Sequence, residues 1–341
     1  MGTGATTLWT SGSTARARWI LLKTMSICLA DLPLDRHGLI RRTKALRAGF
    51  SDDQLAAEVK TGRLVRLGRG VLMPAQAPEV ARSEAGKDAR YRLACIAAAT
   101  TERAGDAPLS HESAAALHRI PLLGPDRTLV HVIRGGRGGS SLRGGRYRHA
   151  GTVPAEDIVE IDGIRVTSLR RTAIDVALTG SFAQALTVVD AVLRRGVSRE
   201  DLVAVLEGRR PEGIRTARRA IAHGSGLAES VGESWSRAQM IDADLPLPAL
   251  QRAYVLEGHE YRPDFDWDGV LVGEFDGLVK YQGLLRPGEP PHEAVIREKE
   301  REDRLRRAGL EVVRWTWRML VAGTMIPLLR AWLRNVGVLV G

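Results

Sequence analysis

The chain has 341 residues, and 50 Lys and Arg against 40 Asp and Glu give a formal net charge of +10. The length allows two or three domains with their own cores. No apolar stretch is long enough to span a membrane, and the two cysteines, Cys28 and Cys95, have neither disulfide-framework nor metal-ligand spacing. Transmembrane and disulfide-stapled classes are therefore excluded, and we expect a cytoplasmic protein.

The positive charge favours a polyanionic partner, most often nucleic acid. The alternative is a basic protein without such a partner, from an arginine-rich proteome. At the N-terminus, residues 1–30 are predicted to be a poorly ordered extension, because Lys23 interrupts the apolar run that a signal peptide would need. Met25 is a candidate for the natural start.

Residues 35–78 predict a winged helix-turn-helix. A short helix ends at Gly49, and Ser51 then caps a second helix with Gln54 in the capping-box position. The residues from Leu64 to Met73 predict a tight β-hairpin that turns at Gly68-Arg69-Gly70.

This segment resembles the N-terminal domain of AbiEi-type antitoxins of type IV toxin–antitoxin systems. The shared pattern runs from Gly38-Leu39-Ile40 to Gly70-Val71, with Leu72 where the family often has an aromatic residue. The resemblance implies a DNA-binding regulator whose second helix enters the major groove, with a toxin protein as its second partner. The candidate DNA contacts are Lys44, Arg47, Lys60, Arg63, Arg66 and Arg69.

Acidic residues complicate this assignment. Asp52, Asp53 and Glu58 lie on the candidate recognition helix, where they would repel phosphate. A winged helix that binds protein instead of DNA is the alternative.

The middle region, residues 85–220, predicts an α/β domain. Its segment 160-EIDGIRVTSLRRTAIDVA-177 predicts a hairpin strand followed by a helix with Thr167 or Ser168 near its cap, and it resembles the central region of AbiEi-like antitoxins. We interpret Asp175 as structural. His111 and His118 lie seven positions apart, so they are interpreted as packing or surface residues and not as metal ligands.

An arginine- and glycine-rich segment interrupts the middle region. Residues 134–149 contain five arginines, six glycines and no acid, which predicts a mobile loop. Arg134, Arg137, Arg143 and Arg146 are candidate nucleic-acid contacts, with Tyr147 available for stacking. A solvated hairpin tip is the alternative.

The last region carries a group of carboxylates. The apolar run Val270–Val272 predicts a buried strand that delivers Glu274 and Asp276 at its exit, and Asp264 lies on the preceding strand. Carboxylates gathered in this way usually pair with a hard divalent cation such as Mg²⁺.

This arrangement resembles the PD-(D/E)xK nuclease superfamily, in particular its very-short-patch-repair-like branch. Pro263-Asp264 and Glu274-x-Asp276 match its motif, except that Asp276 replaces the motif lysine, and Lys280 is assigned to supply that cation. The resemblance implies an endonuclease-like domain over residues 225–341, with catalytic Glu233, Asp264, Glu274, Asp276 and Lys280, and with Mg²⁺ held by Asp264, Glu274 and Glu233. Further matches are Ser230–Ser234, the charged residues Glu298, Lys299, Arg301 and Asp303, and the closing-strand residues Val312, Val313 and Trp315.

The spacing between Asp264 and Glu274 imposes a geometric condition. A plain two-residue turn at Asp268-Gly269 would pair position 264 with 273 and direct the two carboxylates to opposite sheet faces. A one-residue bulge or a longer loop would bring them to one face, and we expect the bulge. The alternative is a solvated sheet end without metal.

Two functional hypotheses follow for this mixed α/β chain. In the first, it is a DNA-binding regulator of antitoxin type with a degenerate nuclease-like domain. In the second, it is a Mg²⁺-dependent endonuclease that its winged helix targets to DNA.

Overall fold

The computed structural model describes residues 28–101, 107–135, 139–207, 212–277 and 304–339. It confirms the mixed α/β class. The chain divides into two compact units between Ala107 and Pro108. The predicted domain boundary at residue 225 stays a prediction, and the predicted N-terminal extension with Met25 lies outside the described residues.

The first unit contains two short helices followed by a β-hairpin, in the predicted order. Its elements are β1 (Ile40–Arg41), α1 (Arg42–Arg47), α2 (Asp52–Lys60), β2 (Leu64–Gly68), β3 (Val71–Pro74), α3 (Pro78–Arg82) and α4 (Glu84–Ala99). The three strands form an antiparallel sheet in the order β1-β3-β2. Strand β3 therefore pairs with both β1 and β2.

Local sequence explains where α2 begins. The Ser51 side chain accepts a hydrogen bond from the Gln54 backbone N–H at 3.1 Å, and the Gln54 side chain accepts one from the Ser51 N–H at 2.8 Å. This reciprocal capping box satisfies two donors that the helix cannot satisfy itself. The core of the unit contains the buried residues Leu32, Ile40, Ala45, Leu55, Leu64 and Leu72.

The second unit begins with a helix and small sheets. These elements are α5 (His111–His118), β4 (Val130–Arg134), β5 (Ser141–Arg143), β6 (Arg146–Ala150), β7 (Ile158–Ile161) and β8 (Ile164–Thr167). Strand β6 is central, parallel to β4 and antiparallel to β5. Leu109 forms bridges with both Val132 and Val166 and so connects β4 with the β7–β8 hairpin.

Four helices then build the main apolar core of this unit. They are α6 (Leu169–Thr179), α7 (Phe182–Leu193), α8 (Arg199–Leu206) and α9 (Ile214–His223). Ser168 caps α6 by accepting from the Arg171 N–H, which identifies the cap between the two predicted candidates. Residues such as Ile174, Val188, Leu202 and Ile221 fill the space between these helices.

The C-terminal part of the second unit is a four-stranded sheet with helices. Its elements are α10 (Val231–Asp242), β9 (Ala249–Leu250), β10 (Tyr254–Leu256), β11 (His259–Tyr261), β12 (Phe265–Trp267), β13 (Leu271–Asp276), β14 (Glu311–Thr316), α11 (Trp317–Ala322) and α12 (Met325–Asn335). The sheet order is β14-β13-β12-β9, with β13 and β14 parallel. The hairpin β10–β11 forms a separate two-stranded sheet.

Helix α10 packs closely on this sheet. A Cβ atom added at Gly232 would lie 2.0 Å from the Phe275 ring, so the helix approaches the strand where it has no side chain. One turn later, the Trp315 indole donates a hydrogen bond to the Ser236 hydroxyl at 2.8 Å. These contacts place the first turn of α10 beside the end of β13.

A buried charge connects α10 with α7. Asp190 is fully buried and accepts hydrogen bonds from the Ser225 N–H, the Ser234 hydroxyl and the Arg237 guanidinium, at 2.7, 2.8 and 2.7 Å. Burial raises the pKa of the Asp190 carboxyl, while Arg237 and the hydrogen bonds oppose that rise. The AbiEi-like middle and the C-terminal sheet therefore share one polar network.

Candidate functional site

The acidic residues on α2 are largely neutralised within the first unit. The Arg42 guanidinium contacts both Asp52 carboxylate oxygens, with the Nε–Oδ1 distance at 2.7 Å. Arg63 pairs with the buried Glu58 at 2.5 Å. Two of the three acids that were expected to repel phosphate thus have a cationic partner.

The predicted DNA contacts of the first unit differ in availability. Arg63 is engaged with Glu58 and is half-buried, so it serves the fold of the hairpin base. The others are exposed: Lys44, Arg47, Lys60, Arg66 and Arg69. They lie on α1, on α2 and along the β2–β3 hairpin, which are the elements that a winged helix presents to DNA.

In its described part, the arginine- and glycine-rich segment is mostly β-structure, so the predicted loop is wrong there and the hairpin alternative agrees better. Residues 141–143 and 146–150 form the hairpin β5–β6, and Arg134 ends β4. Backbone pairing explains the difference, because β6 hydrogen-bonds to strands on both sides and needs no apolar side chains to do so. Arg137 lies outside the described residues.

Strand alternation sorts this segment into two faces. Successive side chains point to opposite sides of a sheet, and paired positions share a side. Two rows of cross-strand neighbours therefore lie on one face, which we call the arginine face. One row contains Val130, Arg146 and Arg143, and the other contains Val132, Arg148 and Ser141. Its cations are Arg134, Arg143, Arg146 and Arg148.

The sequence interpretation missed Arg148 and misplaced Tyr147. Only the strand register reveals that Arg148 shares a face with Arg146, and the register was not expected in a predicted loop. Tyr147 lies on the opposite face, with its ring centroid 4.6 Å from that of His149. It is therefore packed against histidine and not presented beside the arginines.

Three histidines form a cluster on that opposite face. The His111 and His149 rings stack with centroids 3.6 Å apart, and His131 Nδ1 lies 2.9 Å from His149 Nε2. The three residues come from α5, β4 and β6, so the cluster attaches the hairpin to the helix. His111 has φ of 49°, a left-handed conformation that non-glycine residues rarely adopt.

Burial disfavours the charged form of this cluster. Burial, followed by the charge of His131, lowers the pKa of His149 to about 4. Burial also holds the pKa of His111 well below its usual value, with smaller contributions from His149, His131 and Arg171. His131 Nε2 and Glu112 Oε2 face each other at 3.7 Å, and within the described residues neither atom has a hydrogen bond.

The contacts of His118 and Asp175 agree with the roles predicted for them. His118 Nε2 lies 2.7 Å from the Thr167 carbonyl oxygen, a packing role as predicted. Asp175 pairs with Arg171 at 2.8 Å, and both side chains are buried. This pair gives Asp175 the structural role that was assigned to it.

Two of the C-terminal carboxylates, Asp264 and Glu274, lie at opposite positions on neighbouring strands. We call this row of cross-strand neighbours the rung. Strand β12 pairs with β13 as Phe265–Gly273 and Trp267–Leu271, so Asp264 lies opposite Glu274. Residues 268–270 connect the two strands as a three-residue loop, in which the Val270 N–H donates to the Trp267 carbonyl. This longer loop, and not the expected bulge, supplies the one-residue shift. The two carboxylates therefore share a face.

The same rung extends across four strands. Phe265 pairs with Leu250, which places Gln251 beside Asp264, and Glu274 pairs with Arg314. The sequence interpretation missed Gln251 and Arg314, since neither belongs to the motif and the strand register decides their position. Asp276, two residues after Glu274, lies on the same face and pairs with Thr316.

Hydrogen bonds connect Glu233 to this rung through Gln251. The Gln251 amide lies 3.3 Å from Glu233 Oε2 and 3.4 Å from Asp264 Oδ1. Asp264 Oδ2 accepts from the Phe275 N–H at 2.8 Å. Glu233 itself caps α10, accepting from the Ser230 hydroxyl and the Glu229 N–H, so its oxygens are already engaged in the fold.

The carboxylates near the rung are of the chemical type that a hard cation prefers, but their described arrangement does not form a metal site. Asp264, Glu274 and Glu233 are buried oxygen ligands, the type that Mg²⁺ prefers. However, no group of three or more His, Cys, Asp or Glu among the described residues is arranged to hold a metal ion. Mg²⁺ binding stays a prediction. Lys280 and the predicted charged-helix residues Glu298, Lys299, Arg301 and Asp303 lie outside the described residues.

Comparisons with known proteins relate the middle of this chain to one family. Residues 96–222 match the family model of the AbiEi antitoxin C-terminal domain, which supports a role in a toxin–antitoxin system. In the part of the chain that the structure describes, no helix is long and apolar enough to cross a membrane.

Two mycobacterial proteins are similar over most of their length. The chain is 31% identical over 269 residues to "Uncharacterized protein MT2308" of Mycobacterium tuberculosis (strain CDC 1551 / Oshkosh). The same values hold for "Uncharacterized protein Rv2248" of strain ATCC 25618 / H37Rv. Each alignment covers 76% of this chain and 88% of the relative. The chain belongs to the family of these proteins.

Proposed function

We propose that the protein is a DNA-binding regulator of antitoxin type, which binds DNA through its first unit. The observation that carries this proposal is the internal pairing of Asp52 and Glu58 with arginines, beside five exposed cations on α1, α2 and the hairpin. With those acids neutralised, the net field of this surface attracts phosphate. The AbiEi match supports the same class of function.

The proposed contacts follow from the element order. Helix α2 enters the major groove, and Lys44, Arg47 and Lys60 contact the flanking backbone. Arg66 and Arg69 on the hairpin reach phosphates or the minor groove. Such contacts fix the position of the protein on the duplex, while side chains of α2 read bases.

A cognate toxin protein is the second proposed partner, and the AbiEi match supports it. Expression of this chain should restore growth to cells that express a toxin encoded beside its gene. Growth that stays arrested at equal toxin levels would contradict the antitoxin assignment without affecting DNA binding.

Charge reversal on the hairpin tests the DNA-binding surface. Arg66→Glu with Arg69→Glu should weaken binding to the DNA upstream of the gene and flatten the dependence of log affinity on log salt by about 2, since each lost phosphate contact removes about 0.9 of slope. Fluorescence anisotropy over a salt series measures both quantities.

The matched control reverses Arg215 and Arg218, which are exposed on α9 in the second unit. It introduces the same charge change, so it should lower affinity only through net charge. An equal salt slope in the hairpin variant and the wild type would show that the hairpin does not touch DNA.

A Mg²⁺-dependent endonuclease is the second candidate function. The observation that favours it is the rung that brings Gln251, Asp264 and Glu274 onto one sheet face. A bound cation would supply charge neutralisation for a scissile phosphate. Gln251 would hold the Asp264 carboxylate in place, and Lys280 would supply the motif cation that Asp276 replaces.

Supercoiled DNA incubated with and without Mg²⁺ or Mn²⁺ tests this candidate. Cleavage should require the metal and disappear in Asp264→Asn and in Lys280→Ala, with DNA affinity nearly intact in both. Asp268→Asn is the control, because Asp268 is exposed on the turn before β13 and lies off the rung. Wild-type cleavage rates in Asp264→Asn, or metal-independent cleavage, would reject the assignment.

A further inference from the structure

The arginine face concentrates positive charge on one side of a small sheet. Arg134 and Arg143 are exposed, and Arg146 and Arg148 are half-buried. Among the described residues, no ion pair joins Arg134, Arg143 or Arg148 to a carboxylate. Strands β4, β5 and β6 contain no Asp or Glu. Such a concentration of one charge is costly unless an anion offsets it.

The spacing of these cations is regular because the sheet fixes it. Arg143 and Arg146 are cross-strand partners, so their backbones lie about 5 Å apart. Arg148 lies two residues further along β6, about 7 Å away. Partial burial and the charge of Arg148 lower the pKa of Arg146, so an anion at this face would relieve an existing repulsion.

The chemistry of the face indicates which part of a polyanion it contacts. Base stacking needs aromatic side chains, whereas guanidinium groups in a row suit phosphate oxygens. The aromatic residues of these strands, His131, Tyr147 and His149, pack on the opposite face. The arginine face therefore lacks a stacking platform within its described residues.

We propose that the arginine face is a second nucleic-acid surface, which binds the phosphate backbone of DNA without sequence preference. It lies in the second unit and goes beyond the proposed DNA binding by the first unit. Its contribution is affinity and retention on DNA rather than site selection, because phosphate contacts carry no sequence information. Duplexes of unrelated sequence should thus use it equally.

Arg134→Ala with Arg143→Ala tests the proposal with the least risk to folding, since both side chains are exposed. In anisotropy titrations of the full chain with two short duplexes of unrelated sequence, affinity for both should fall by the same factor, about tenfold or more at low salt, and the salt slope should flatten by about 2. Arg134→Lys with Arg143→Lys should retain most of the affinity, because it keeps the charge. Arg148→Gln should add a further loss, and thermal melts identify any variant that fails to fold.

The control pair is Arg215→Ala with Arg218→Ala, which removes equal charge elsewhere in the second unit. An arginine-face variant with the control's affinity and slope would overturn the proposal, as would a loss confined to one duplex sequence. Arginine-dependent binding to polyglutamate or to anionic phospholipid vesicles, with unchanged DNA affinity, would also overturn it. The Arg66/Arg69 variant reports separately on the first unit, so the failure of one surface is distinguishable from the failure of the other.

Discussion

At the scale of single residues, the histidine cluster is the most unusual feature of the second unit. Three imidazoles from α5, β4 and β6 share one small volume, with Glu112 as the nearest carboxylate. Tyr147 packs beside them, Ser110 hydrogen-bonds His111, and Arg171 and Asp126 act on the cluster through their charges. Burial favours the neutral forms of His111 and His149, so these two rings hold the hairpin against the helix most firmly when they are uncharged.

Acid pH should therefore weaken the fold through this cluster. The pKa of His149 is lowered to about 4 in the folded chain, against about 6.5 when unfolded, so between these values the unfolded state binds more protons. Stability should be complete above about pH 6.5 and fall as the pH decreases towards about 4. The urea midpoint of the wild type should drop more between these pH values than that of His149→Gln.

His259→Gln serves as the control, because His259 is exposed on β11. It should keep the full pH dependence of the wild type. A His149→Gln variant with the same pH dependence as the wild type would mean that the cluster does not contribute to acid sensitivity.

The sequence could not identify this cluster from spacing. His131 and His149 lie eighteen positions apart, on strands whose pairing depends on the register between β4 and β6. The sequence interpretation considered His111 only together with His118, which does not belong to the cluster. By contrast, a residue with a local signature, such as the Ser51 cap, follows from sequence alone.

At the scale of elements, the contact between α10 and β13 fixes the candidate carboxylate site. Glu233 occupies the first turn of α10, and that turn can approach β13 only because residue 232 is glycine. Motif matching predicted that Glu233, Asp264 and Glu274 belong to one site, and the structure sets Asp264 opposite Glu274, with Gln251 between Asp264 and Glu233. Motif matching could not reveal Gln251, since the residue that bridges two carboxylates depends on a third strand.

Gly232→Ala should destabilise the protein by about 1–3 kcal/mol, the usual range for an overpacked core. The added methyl would meet the buried Phe275 ring at 2.0 Å. The sign of the change in stability is informative, because alanine in place of glycine in a helix otherwise stabilises the protein by about 1 kcal/mol. Urea unfolding of Gly232→Ala against Gly139→Ala, whose Cβ would meet open space, measures the difference. Equal or greater stability of Gly232→Ala would mean that the helix is not seated as described.

The turn before β13 shows how one residue decides a site. Val270 is the third residue of the loop that sets Asp264 opposite Glu274, and the sequence required such a shift without showing that a longer loop supplies it. In general, element types were predictable here from periodicity and caps, while register and sheet order required the three-dimensional pairing. The loop prediction for the arginine-rich segment was wrong for that reason. The composition of the segment lacks the apolar alternation that marks a strand.

At the scale of the whole molecule, the AbiEi-like middle and the C-terminal sheet belong to one compact unit. The sequence predicts a nuclease-like domain fused to the middle region from residue 225 onward. The Asp190 network crosses that position, since Asp190 on α7 binds Ser225, and Ser234 and Arg237 on α10. Because the two parts share a buried ion pair, we expect them to unfold together.

Asp190→Ala should therefore cost about 3–5 kcal/mol, since it leaves the Arg237 guanidinium without its carboxylate. Asp242→Ala, which breaks the exposed pair with Arg219, should cost at most about 1 kcal/mol. Urea unfolding can follow both parts, because the described tryptophans all lie after residue 225 while circular dichroism reports helices throughout the chain. In Asp190→Ala, the fluorescence and dichroism midpoints that report on the second unit should fall together. A variant in which helical signal is lost at lower urea, while tryptophan fluorescence keeps the wild-type midpoint, would show instead that the middle region and the C-terminal sheet fold independently.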